Sequence, residues 1–466
     1  MGTTMAPMSA PSERASRNVG GRAVTAEAGM SWWQLTRLGF VQAAIGAVVV
    51  LLTTTINRVI VVELGLPATI PGILVALHFG VQLILRPRLG HDSDGHGRRT
   101  PWILGGLLVC ALGGVGVAAS IPVMADNVVL GVALASLASV ILGAGVSASG
   151  TPLLALMSER AKPSQRAGAA AITWILMIVG IIITAATSGA LLDPFSYTRL
   201  IAIAGGIGAV GLVVALVATW GVEKGPRPIM PSAEGAEGKG AFLASFRTVW
   251  REPAARLFSG FIFLAMFAYS AQDLILEPFA GIAFGMTPGE STKLSGAHHG
   301  GVLVGMILAA LIATRSGQLR HWAAAGCAAS ALTYLGLVLS PSLASVTAFT
   351  VIVVLLGLSN GVFAIGAIGS MMALTGDKTD GRAGLRLGVF GAAQALAYAV
   401  GTMSGAAGVD VARAVLESPL RGYLAVFGVQ AVLFGASAWL ALRSASSERA
   451  NEVFRQRGEM LQAVIQ

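Results

Sequence analysis

Apolar runs of about 20 residues, the thickness of a bilayer core, follow one another along almost the whole chain between short polar breaks. Twelve are drawn, at 35–62, 70–87, 101–123, 128–155, 167–191, 198–221, 254–276, 299–314, 321–340, 344–370, 385–408 and 420–442. A helix satisfies its own backbone in hydrocarbon. The pattern therefore predicts an all-α polytopic membrane protein with twelve transmembrane helices. One connection between spans is long: residues 222–253, containing "VEKGPRPIMPSAEGAEGKG", divide the spans six and six. The expected organisation is a disordered cytoplasmic tail at 1–34, a six-helix bundle at 35–221, the cytoplasmic linker at 222–253, a second bundle at 254–442, and a cytoplasmic tail at 443–466.

Composition agrees and adds orientation. The 466 residues are 55% hydrophobic and only 11% charged, too little charge to cover a soluble surface. Of the 31 lysines and arginines, all but Arg58, Arg199, Lys293, Arg413 and Arg421 fall on one side of the twelve spans. Basic loops stay in the cytoplasm, so both termini are expected there. The formal net charge of +9 then reflects topology rather than nucleic-acid binding. Glycine numbers 60, as helices need when they approach closely in lipid; "GTMSG" (Gly401 to Gly405) is one small-xxx-small candidate. Cys110 and Cys327 lie in spans and make no disulfide framework.

The two halves look related. "ALMSERAKPSQRAG" after span four matches "ALTGDKTDGRAG" after span ten, and "INRVIVVE" in span one matches "AQDLILEP" in span seven. Parallel repeats of six spans are the signature of the major facilitator architecture.

Between spans two and three, "RLGHDSDGHGRRTPW" (Arg88 to Trp102) is the densest polar stretch. Asp92, Asp94, His96 and Gly97 imitate the start of a calcium loop, but Ile103 stands where the bidentate glutamate is required. Gly90, Asp94, Gly97, Arg98 and Arg99 instead fit the G-x-x-x-D-x-x-G-R-R gating motif of major facilitator proteins. The motif implies that Asp94 sits against the cytoplasmic start of span eleven, near Arg386. Gly95 departs from it, standing where a basic residue is usual.

Longer stretches narrow the family. The segment from "TRLGFVQAAIGAVVVLLTTTINRVIVVELGLP" through "VALHFGVQ" to "RRTPWILGG", with "ITWILMIVG", "SAQDLILEPFAG" and "GVFGAAQALAYAVG", resembles the bacteriochlorophyll-delivery branch of the major facilitator superfamily. This branch includes PucC and LhaA light-harvesting assembly proteins and a subgroup historically labelled a bacteriochlorophyll synthase chain; the last is the best match. The resemblance implies a factor that binds bacteriochlorophyll a as cargo in the inner, photosynthetic membrane of a phototrophic bacterium. It would hand the pigment to light-harvesting or reaction-centre subunits and work beside bacteriochlorophyll synthase. It implies no pigment-binding residues, which must be argued physically.

Ionisable side chains at membrane depth are costly and mark function by default. Arg58 and Glu63 lie in span one; Asp273 and Glu277 lie in span seven, one helical turn apart on one face. Since these spans occupy equivalent places, Arg58 and Asp273 form a candidate ion pair across the central cavity, with Asn57 and Gln272 alongside. The pair reads either as a gate and polar anchor for a ligand or as a structural contact near the outer surface. His78 is the histidine well inside a span, and serves either as an axial ligand to a chlorin magnesium or as a packing residue. Asn360 and Gln394 are further ligand or interhelical candidates. His298 and His299 read as exposed at the outer start of span eight, without a third ligand for a metal site.

An enzyme that transfers a prenyl group from a diphosphate would hold magnesium on aspartates one helical turn apart; no two aspartates here are four residues apart, and Asp377 and Asp380 fall in a short loop with no second cluster. Catalysis is not expected. Two alternatives remain beside pigment delivery: a proton-coupled transporter of a small amphipathic molecule, and a scaffold for bacteriochlorophyll synthase that holds no pigment.

Overall fold

A computed structural model of the chain describes residues 30–95, 98–162, 165–223, 253–316, 319–376 and 383–465, together with Gly2. Among these residues every regular element is helical. The first half holds α1 (Trp32–Leu51), α2 (Thr69–Gly95), α3 (Thr100–Asp126), α4 (Val128–Arg160), α5 (Arg166–Leu191) and α6 (Tyr197–Thr219). The second holds α7 (Pro253–Gln272), α8 (Leu276–Phe284), α9 (Pro288–Ser316), α10 (Leu319–Leu339), α11 (Val346–Gly376), α12 (Ala383–Val415) and α13 (Pro419–Ile465). Ten described helices are long and apolar enough to cross a bilayer, and α7 with α8 makes an eleventh span, bent by 42°. The molecule is a multi-pass membrane protein with the facilitator architecture.

Helix ends follow from local chemistry. Ser31 and Gln34 form a reciprocal capping box that opens α1, and Ser196 caps α6. The last helix does not stop at the bilayer: α13 continues through the stretch read as a tail.

Span eight begins earlier than its apolar run. Its helix starts at Pro288 rather than 299, because Thr287 and Glu290 exchange capping bonds and "ESTKLSGAHHGG" winds as helix. His298 and His299 therefore sit about 15 Å along the helix, at 1.5 Å per residue, and not at its outer start. The reading of both as exposed is corrected: His298 is buried, and His299 is half-buried.

Glycines set the spacing between helices. Gly301 and Gly305 of α9 lie against the carbonyls of Val354 and Leu358, while Gly357 and Gly361 of α11 lie against those of His298 and Val302. Two small-xxx-small motifs thus interlock reciprocally, each admitting the other's backbone. "GTMSG" does the same on α12: Gly401 meets Phe267 and Ser270, and Gly405 meets Ala271, all on α7 just before its break.

Among the described residues, hydrogen bonds between the two halves collect at the end away from the chain termini. Asp410 of α12 accepts the backbone N–H groups of Ala68 (3.0 Å) and Thr69 (2.7 Å) at the start of α2, along with the Thr69 hydroxyl. Asp193, after α5, accepts Thr287 Oγ1 at 3.0 Å and Gly289 N at 3.3 Å before and within α9. Carboxylates suit helix N-termini, where unpaired N–H groups and the dipole both favour negative charge. These bonds tie the two halves together at that end, which is closed in this sense.

Candidate functional site

The two segments that the repeat equates are the irregular ones. After α1, span one continues through two π-helical turns, Leu52–Ile56 and Val59–Glu63, with Asn57 and Arg58 between them. Span seven breaks at 273–275 between α7 and α8. Irregular backbone at membrane depth persists only where protein or a cavity supplies its partners. Here the two irregularities serve each other. Asn57 Nδ2 donates to Leu274 O at 2.8 Å, filling a carbonyl that the break exposes, and the Thr55 and Thr292 hydroxyls share a hydrogen bond at 3.0 Å beside it.

Arg58 does not pair with Asp273. Its Nη1 donates to Glu63 and its Nη2 to the carbonyl of Met286. The reason is helical period: a π turn repeats near i+5, which places Glu63 over Arg58, whereas an α-helix would have turned it aside. Gly281 of α8 makes room, since a Cβ there would sit 3.0 Å from Arg58 Nη2. Asp273 is half-buried, the electrostatic neighbour of Tyr269, Tyr334 and Tyr398. Glu277 is buried beside Ser295 and within electrostatic reach of Arg58, and neither carboxylate oxygen forms a well-shaped hydrogen bond.

Gln272, the last residue of α7, organises a buried polar cluster. Its Oε1 accepts the Tyr334 hydroxyl and Asn360 Nδ2 (3.2 Å), and its Nε2 meets His298 Nε2 at 2.8 Å. Ser330 Oγ donates to Asn360 Oδ1 at 2.9 Å. Hydrogen-bond polarity fixes every proton. Tyr334 and Asn360 give to Gln272 Oε1, so Gln272 Nε2 gives to His298 Nε2, and His298 Nδ1–H gives to Val353 O at 3.2 Å. Helices α7, α9, α10 and α11 are tied together at the break. Of the sequence candidates, Asn57, Gln272 and Asn360 are brought into one region with Arg58, Asp273 and Glu277.

His78 stands elsewhere, on α2, in a ladder of its own. Arg86 donates to Gln82 Oε1, which turns Gln82 Nε2 toward His78 Nε2 at 2.7 Å. An arginine only donates, so the ladder leaves His78 Nε2 as acceptor and puts the ring proton on Nδ1. That nitrogen is buried without a partner. The backbone at His78 is packed against Gly143 of α4, where a Cβ would lie 2.5 Å from His78 O.

The loop motif is partly described. Gly97, the surroundings of Gly90 and the side chains of Asp94 and Gln394 lie outside the described residues. Arg98 is exposed and Arg99 is buried. The start of α3 is capped by a residue the motif does not contain: Glu223 accepts Arg99 N at 3.0 Å and Thr100 N at 2.8 Å. Glu223, Asp193 and Asp410 were invisible to pattern reading because each acts far along the chain from its partner. Tyr334 and His298 carry no periodic signal either; each is one polar group in an otherwise apolar helix.

The family model described as PUCC protein matches residues 55–448. The chain is 46% identical, over 88% of its length and 95% of the relative's, to the "Bacteriochlorophyll synthase 44.5 kDa chain" of Rhodobacter capsulatus. It is 30% identical to "Protein PucC" of Cereibacter sphaeroides, covering 85% and 89% of the two chains. Among solved structures it resembles the nucleoside transporter NupG (TM-score 0.67, 13% identity, covering 88% of this chain and 99% of that one). It also resembles an inward-facing, unoccupied bacterial homologue of the human lysosomal transporter Spinster (TM-score 0.65, 16% identity, 89% and 96%).

Proposed function

As the chain belongs to the PucC family, we propose that it is a membrane carrier that binds bacteriochlorophyll a and hands it laterally to nascent light-harvesting or reaction-centre polypeptides. The observation that carries this reading is the meeting of two irregular spans, with Asn57, Gln272 and Asn360 at their junction, in a chain so similar to a relative named for bacteriochlorophyll. Discontinuous helices at the junction of repeats are where facilitator folds hold their ligands. A chlorin offers keto and ester oxygens for the second amide protons of Gln272 and Asn360 and a long apolar tail for the surrounding helices. The chain acts by holding and releasing pigment, not by forming its ester bond. It resides in the photosynthetic inner membrane with both termini in the cytoplasm, next to the bacteriochlorophyll synthase that makes the cargo. In that orientation the closed end faces the periplasm.

One observation favours a second reading. Glu277, buried without a well-formed partner, is suited to carry a proton in a coupled transporter of another amphipathic molecule.

The test is to purify the full chain in mild detergent from a bacterium that makes bacteriochlorophyll and record its near-infrared spectrum. About one pigment per chain, reduced in an Asn57→Leu variant, is expected. A preparation free of pigment, from cells that contain it, overturns the carrier reading. It leaves transport or scaffolding.

A further inference from the structure

The histidines at mid-depth differ in one respect that bears on a magnesium-containing cargo. A ligand imidazole must keep a lone pair free and accessible, with its other nitrogen held by a second partner that fixes the tautomer. His78 fails, since Gln82 occupies its Nε2 and Arg86 fixes that polarity. His298 fails as well, its two nitrogens being taken by Gln272 and Val353.

His299 meets both conditions. Its Nδ1 donates to the Ser295 carbonyl at 2.8 Å, which leaves the lone pair on Nε2. Among the described residues Nε2 has no hydrogen-bond partner, and the side chain is only half-buried. The ring also rests edge-on against His298, with centroids 5.4 Å apart, so the Gln272 cluster braces it. Seven-residue spacing shows where it faces. Thr292 and Met306, one heptad before and after, share its side of α9. Thr292 bonds Thr55 of span one, and Met306 packs in a cluster with Ile178 of α5. His299 thus faces the seam between the two halves, about halfway through a ~30 Å hydrocarbon core. One residue on, Gly300 has open space where a Cβ would project.

We propose that His299 Nε2 is the axial ligand to the magnesium of bound bacteriochlorophyll, with the Ser295 carbonyl fixing its tautomer and His298 its ring plane. The inference rests on the carrier reading above. It places the macrocycle at the seam between the halves, on the far side of His298 from Gln272, and gives the site a reason to prefer a magnesium chlorin over the metal-free pigment.

The experiment titrates the purified full chain with bacteriochlorophyll a and, separately, with magnesium-free bacteriopheophytin a. It follows pigment fluorescence and the visible band that reports axial coordination. Wild type is expected to bind the magnesium pigment more tightly and to shift that band. His299→Leu is expected to weaken magnesium-pigment binding about 10- to 100-fold, the usual scale for a damaged metal-ligand shell, and to lose the preference. His299→Gly with added imidazole restores the band. Size-exclusion profiles establish folding, and His299→Gln stands in should the leucine variant aggregate. A wild type that binds both pigments equally, or a His299→Leu variant that keeps the preference and the shifted band, overturns the ligand assignment while sparing the carrier. A wild type that binds neither pigment overturns both.

Discussion

Arg58 places a guanidinium almost wholly out of water, with 4% of its side chain exposed, against a Glu63 carboxylate that keeps 36%. This asymmetry predicts unequal effects of breaking the pair. Glu63→Gln strands a buried charge and is expected to cost about 1–3 kcal/mol, less than the ~3–5 of a fully buried pair because water still reaches the site. Arg58→Met strands a carboxylate that water can serve, and is milder. The double variant Arg58→Met with Glu63→Gln is expected to be less destabilised than the sum of the two, since no charge is left uncompensated. Thermal unfolding in detergent, followed through all three variants, checks the order; additivity would show that the contact contributes nothing. The same residues mark a limit of reading sequence. That Arg58 and Glu63 matter was plain from charge at membrane depth, but their pairing was not, because the distance between i and i+5 depends on a π turn that no residue in "INRVIVVE" announces.

At the scale of elements, the interlock of α9 with α11 is the contact least able to tolerate added volume. A Cβ at Gly361 would lie 2.1 Å from the carbonyl oxygen of Val302, and one at Gly300 would meet nothing. Gly361→Leu is therefore expected to cost about 1–3 kcal/mol or more through overpacking against backbone. Gly300→Ala is expected to leave stability unchanged. Fluorescence-detected size exclusion after graded heating separates them, and a stable Gly361→Leu protein would mean that the helices part without cost. Helices themselves were legible from apolar length; the matched segments paired spans one and seven, but nothing in them announced the π turns or the break. The start of span eight is not legible in the sequence, because "PGESTKLSGAHHGG" is polar and small, and a small polar helix buried against other helices looks like a loop until its neighbours are known.

For the molecule as a whole, the question is whether the two halves must part. Thr55 and Thr292 face each other across the seam at the closed end. Replacing both with cysteine, in a background lacking Cys110 and Cys327, gives a bond that oxidation can make and reduction can undo. A carrier that releases pigment sideways is expected to keep delivering it when cross-linked, whereas a transporter that rocks between two openings is expected to stop. Pigment transfer to antenna polypeptides in reconstituted vesicles, measured before and after reduction, distinguishes them. Transfer that appears only after reduction would count against lateral release.

The two halves answer one demand in different ways. Both need an irregular stretch at the same level, and span one obtains it by widening through two π turns while span seven obtains it by snapping. A π turn takes up residues that an unbroken α-helix has no place for, so span one holds slack that span seven lets out at 273–275. Any comparison of the halves as ancestral duplicates must open a gap there. Aligned without one, Arg58 falls on Asp273 and Glu63 on Pro278, one position past Glu277, so that the two acidic residues fail to meet.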